Sequence, residues 1–316
     1  MSRFKFFDEE DRKDEIQVSD VVVNVEPLDE KQSNSYSKQY RYRVEQTLIM
    51  KMNGMIVSHG VTKQEYLMQK NFVVEKLNSL GFQLIENVLQ FNPKQLESAI
   101  ELICELDKIK SLVEIVPSNE TGKMTAIADK TKALQAWQEY KKVIAEKFNF
   151  LQSKEEKESI NSFADLMENQ LNDDTLLLSD YESRIFYDVI FDKYLLGKEN
   201  FIPSEKNYLS NLFPHNLILL NLAPFIKQKT ASTISIKQVG VLNKKSVDLE
   251  GITKFYNDNY KPQVGYSFSE YNYGIISNYI YDTDENIILE ADLTITEEVK
   301  NNVEIILDYR LKRIEL

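Results

Sequence analysis

The sequence predicts an α+β protein in which antiparallel β-rich ends pack with a helical middle. Three observations carry this. A long two-stranded ribbon is written over residues 40–68, and a C-terminal meander over 275–314. Between them, a block over 130–228 repeats its apolar residues at helical spacing.

The ribbon is the clearest element. Asn53-Gly54 sits between two alternating runs, and both central residues of a type I′ turn need positive φ, which Asn and Gly supply. With those residues at the tip, Met52 faces Met55. Tyr40, Tyr42, Val44, Leu48, Met50 and Met52 then share an apolar face, and His59 falls opposite Leu48 on it. Arg41, Arg43, Glu45, Thr47 and Lys51 take the other face.

The remaining elements follow in order. Residues 1–15 form a charged arm, and 16–129 a β-rich region with one or two helices. Ile16 to Glu26 is β-rich, and Pro27 to Lys38 reads as a loop. Phe72, Val73, Val74, Leu77 and Leu80 sit at helical spacing before Gly81, which suits a C-cap, and 82–91 alternate as a strand. Asn92-Pro93 opens a helix that carries Leu96, Ile100, Ile103 and Leu106. A second hairpin spans 111–129, turning at Asn119 to Gly122.

Leu134, Trp137, Tyr140, Ile144 and Phe148 then define an amphipathic helix, and 160–171 and 180–196 repeat the pattern. Pro203-Ser204-Glu205 starts another helical region, and Leu209 to Ile226 reads as buried core. From 229 to 316 the chain is β again: a strand at 233–241 and three strands over 275–314. The arrangement is one body or two closely packed lobes.

Composition narrows function more than any motif does. The formal charge of −12, from 50 acids and 38 bases, disfavours nucleic acid and suits a basic protein partner. Cys104 is the single cysteine, so no intramolecular disulfide and no four-cysteine zinc site is expected. Leu209 to Ile226 is broken by Pro214, Asn221 and Pro224, which argues against a membrane span. With no leader-like apolar run after Met1, the expected compartment is cytoplasmic. His59 and His215 are the only histidines, and both read as structural or surface residues. Asp282 to Asn286 begins like a calcium loop but places Ile287 and Leu293 where glycine and glutamate are required, so it reads as a turn. No catalytic residues, metal site or cofactor are expected.

The densest signal is aromatic. Tyr266 and Phe268 share one parity, and Tyr271, Tyr273, Tyr279 and Tyr281 the other. Tyrosine at this density serves either a core face or a protein interface, and these six are the expected contact residues. The resulting expectation is a non-enzymatic interaction protein of a larger cytoplasmic assembly: an adaptor, assembly factor or structural component. An immunity-type protein neutralising a basic toxin, and a sheet cupping an apolar ligand, are the alternatives.

Overall fold

The computed structural model describes residues 35–74, 76–92, 97–147, 154–191, 203–214 and 216–315. The charged arm and the expected strand at 16–26 lie outside the described residues. All the described elements belong to one body, Asn34–Leu316.

The chain opens with three long strands, β1 (Ser35–Met52), β2 (Met55–Val73) and β3 (Lys76–Asn92). Helix α1 (Glu97–Ser111) leads to the short hairpin β4 (Val113–Pro117) and β5 (Met124–Asp129). Four helices follow: α2 (Thr131–Lys147), α3 (Lys154–Asn172), α4 (Asp174–Glu182) and α5 (Ile185–Ile190). The chain returns to strand with β6 (Ser204–Leu209), β7 (Leu217–Lys229) and β8 (Thr233–Leu242). Helices α6 (Leu249–Asn259) and α7 (Lys261–Val264) precede the closing meander β9 (Tyr271–Asp282), β10 (Ile287–Val299) and β11 (Val303–Ile314).

All eleven strands form a single antiparallel sheet in the order β5-β4-β3-β2-β1-β11-β10-β9-β8-β7-β6. Each half is a meander, and the two halves join where β1 pairs with β11 from Arg41↔Ile314 to Met52↔Val303. Strand accounts for 54 % and helix for 27 %, so this is a sheet with a helical cover and the α+β expectation holds only loosely.

Several expectations are corrected. Among the described residues the last helix of the middle block is α5, and residues 204–229 carry β6 and β7 instead of more helix. In the run Leu217 to Leu222, Ile218, Leu220 and Leu222 face the core while alternate residues face out, a period of two that the near-continuous apolar run conceals. Residues 71–74 and 76–81 are strand and turn, not helix. Val74 at φ 50° makes the tight corner between β2 and β3, and Gly81 lies within β3. The ribbon is longer than 40–68, because Tyr36 pairs with Phe72 and their rings stack at 4.7 Å.

The ribbon tip forms as expected, with Asn53 at φ 51°, Gly54 at φ 76° and Met52 opposite Met55. The register then shifts. Lys51 pairs with Ile56 but Met50 pairs with Ser58, so Val57 is an extra residue. Parity inverts beyond this bulge. Gly60, Tyr66, Met68 and Lys70 turn inward, and His59 pairs with Ile49 and is exposed, not placed on the apolar face.

The sheet is curled. On its inner side Phe186 of α5 stacks on Tyr66 at 3.6 Å and meets Tyr42 and Phe82 edge-on. Two residues on, Asp188 forms an ion pair with Lys206 of β6. β3 and β6 stand eight positions apart in the strand order, about 38 Å in a flat sheet at 4.8 Å per strand. A six-residue helix is about 9 Å long. Only a trough wrapped around α5 brings both to it. At the opposite end of the strands, Phe213, Phe255, Tyr260 and Tyr271 close a second aromatic cluster.

Candidate functional site: the outer face of the sheet

The inner face is occupied by the chain's own residues. Tyr271, Tyr273, Tyr279 and Tyr281 all point inward and are buried, because they share the parity of Ile275 and Ser277. Two of the hydroxyls bond within the body: Tyr271 donates to Glu297 at 2.8 Å and Tyr281 to Asn286 Oδ1 at 3.0 Å. These four belong to the core, while Phe268 is half-buried and Tyr266 is 62 % exposed before β9. The six residues therefore do not form one surface.

Glu297 of β10 is a fully buried carboxylate that nothing in its sequence pattern singles out. It accepts from Ser210 Oγ, from the backbone N–H of Asn211 (2.7 Å) and Leu212 (3.2 Å), and from Tyr271. Burial raises its pKa. With every donor coming from a turn or a neighbouring strand, it anchors residues 210–213 to the sheet. His59 is an exposed residue of β2, and His215 lies outside the described residues. Asp282 turns its carboxylate to the backbone N–H groups of Asp284 and Glu285, both at 2.9 Å, which makes the expected turn. Among the described residues no cluster of three metal-ligating side chains occurs, and no helix is long and apolar enough to cross a membrane.

The outer face has two unlike halves. Over β2, β1, β11 and β10 two cross-strand rows mix acids and bases in equal number. Lys63, Glu45, Arg310 and Asp292 form one row, and Glu65, Arg43, Lys312 and Glu290 the next. Lys312 reaches Glu290 at 3.1 Å, Arg41 Nε donates to Glu65 at 2.6 Å, and Lys51 meets Glu304 at 2.8 Å. This half neutralises itself.

Over β6 to β9 the face is more apolar, with Asn207, Asn221, Asn278, Lys237 and Glu205 set among the apolar residues. Ala223 pairs with Val239, which pairs with Ile276. Val241 stands beside Gly274, Phe225 beside Lys237, and Leu217 beside Leu209. Leu217 is 60 % exposed, Val241 59 %, Phe225 55 % and Ile276 50 %. Alternation forces this placement. The inward set on the same strands, Leu220, Leu222, Ile236 and Ile275, is buried, so its neighbours face out. A contiguous exposed apolar surface of a few hundred Å² marks a contact site more often than a solvated face.

No protein-family model and no curated protein matches the sequence. One solved structure, described as lipid–protein interactions in lipovitellin, is similar with a TM-score of 0.41 and 10 % identity. The match covers 90 % of this chain and 25 % of that one. A likeness at that level says nothing of function, so the surface itself carries the argument.

A sequence signal for this surface exists. Residues 206–247 contain six lysines and neither Asp nor Glu, although the chain-wide frequency of 50 acids in 316 residues would put about seven there. Strands β7 and β8 of this half lie within that acid-free stretch, and Glu205 of β6, in the row of Asn221 and Val241, stands at its border.

Proposed function

We propose that this protein acts by binding another protein, as a non-enzymatic component of a larger assembly, and that the outer face of β6 to β9 is its contact surface. The observation that carries this reading is the register that aligns Leu217, Ala223, Phe225, Val239, Val241 and Ile276 on the solvent side of one sheet. Edge pairing is the weaker mode here. The edge strand of this half, β6, is only six residues long, and a short edge strand is a poor template for pairing. The face therefore supports recognition better than the edge does. A ligand cup draws less support, because Phe186, Tyr187 and their aromatic partners fill the trough. Catalysis draws less still, since Glu297 spends its oxygens on anchoring a turn.

The test is a double substitution, Val241→Asp with Ile276→Asp, at two exposed positions. The melting temperature is expected to stay within a few degrees of the parent. Partners recovered with the tagged parent from native extract, identified by mass spectrometry, are expected to be absent with the variant. An unchanged partner list from a folded variant overturns the assignment of this face.

A further inference from the structure

We infer that the partner at this face is an acidic polypeptide segment with apolar residues set among its carboxylates. The inference rests on the interaction reading above and adds the chemistry of what is bound.

The charge distribution carries it. Lys227, Lys237, Lys244 and Lys245 stand on or beside this face, against the carboxylates of Glu205 and Glu270, in a chain whose net charge is −12, while Lys206 turns inward to Asp188. In a chain of net negative charge, this local excess of cations beside the apolar residues favours an acidic partner. Placement sharpens the contrast. β8 reads Lys237, Val239, Val241 and Asn243 along its outer side, with Lys244 and Lys245 directly after. The apolar positions of this strand are thus flanked by cations at both ends. Lys227 joins the first end, where it donates to Asn278 Oδ1 at 2.8 Å, and Asn278 pairs with Lys237. Along that row the next acid is Asp292, one strand beyond Asn278 and so about 10 Å from Lys237. At the second end Lys244 meets Glu270 at 2.9 Å, an exposed pair that solvent screens.

Two other occupants fit less well. A second copy placing the same patch against itself across a two-fold axis would bring lysine to lysine. An anionic membrane would be met best by a protruding apolar tip, but the β7–β8 corner is Thr230-Ala231-Ser232-Thr233, whose threonines bond each other. The apolar residues lie on a sheet face interleaved with Asn207, Asn221 and Asn278, a surface whose amides suit a polypeptide backbone.

A random-peptide display library panned on the full chain, with counter-selection on the Val241→Asp, Ile276→Asp variant, tests the inference. Peptides that need the face are expected to be rich in Asp and Glu, with interspersed apolar residues. The best of them, labelled and followed by fluorescence anisotropy, should bind about tenfold more weakly to a Lys227→Gln, Lys237→Gln variant, with most of the loss in the association rate. Its affinity should also fall as salt rises. Face-dependent peptides without acidic bias would overturn the charge assignment and leave the interaction reading standing. Failure to recover any face-dependent peptide would overturn both. Vesicles of equal parts phosphatidylcholine and phosphatidylserine provide the control: face-dependent binding to them without peptide binding would overturn the inference in favour of a lipid surface.

Discussion

At the scale of single residues, the sequence names chemistry but not surroundings. Lys70 is the clearest case. It reads as an ordinary strand lysine, yet the bulge at Val57 turns it inward, where it is only 3 % exposed. Its ammonium donates to the carbonyls of Glu285 (2.7 Å) and Asn286 (3.3 Å) and closes the β9–β10 turn. Burial lowers its pKa to about 8 from the usual 10.5. The folded state therefore releases this proton first and binds fewer protons across that window, so stability rises with pH there. Below about 8 the charge is buried at full cost. Urea unfolding of the parent and of Lys70→Met, at about pH 7 and about pH 10, is expected to show the parent gaining on the variant at the higher pH. A constant difference would mean that Lys70 keeps its ordinary pKa. The tyrosines teach the same lesson. Parity correctly grouped Tyr271, Tyr273, Tyr279 and Tyr281, but parity does not say which group faces the core.

Element boundaries were legible wherever turn chemistry is explicit. Asn53-Gly54 and the Asp282 to Asn286 turn both lie where the sequence puts a turn. Elements failed where length and periodicity disagreed. The apolar run before Pro224 hides a strand, and the helical spacing before Gly81 belongs to two strands meeting at Val74. The ribbon register failed for a different reason. A turn specifies pairing only as far as the first bulge, and beyond it the burial of Tyr66, Met68 and Tyr42 decides. Deleting Val57 should therefore leave the core register intact and give a regular hairpin to the tip. The melting temperature is expected to change by only a few degrees, with hydrogen-exchange protection of residues 62–70 retained. Loss of that protection would show that the turn, not the core, sets the pairing.

For the whole molecule, α5 is what the trough is wrapped around. Phe186 touches side chains from β1, β2 and β3. Phe186→Ala is expected to cost about 3–5 kcal/mol, and because these strands share one sheet the loss should appear as a lower global unfolding midpoint in urea. A variant that keeps the parent midpoint would show the trough to be independent of its filling. That wrapping was beyond the sequence. Hydrophobic spacing reports which face of an element is buried, but Asp188 and Lys206 meet only after eleven strands have set the curvature. The contact face was closer to being readable, since the acid-free lysine stretch stands in plain sequence, and only the register turns it into a surface. The central seam has a last consequence, for biosynthesis. β1 is made early, yet its partner β11 begins at Val303, some 250 residues after the end of β1. At the ribosome, synthesised at about 5–20 residues per second, the nascent N-terminal meander waits about 13 to 50 seconds with β1 as a raw edge. An edge left open for that long is a site for mispairing with other chains before the seam closes.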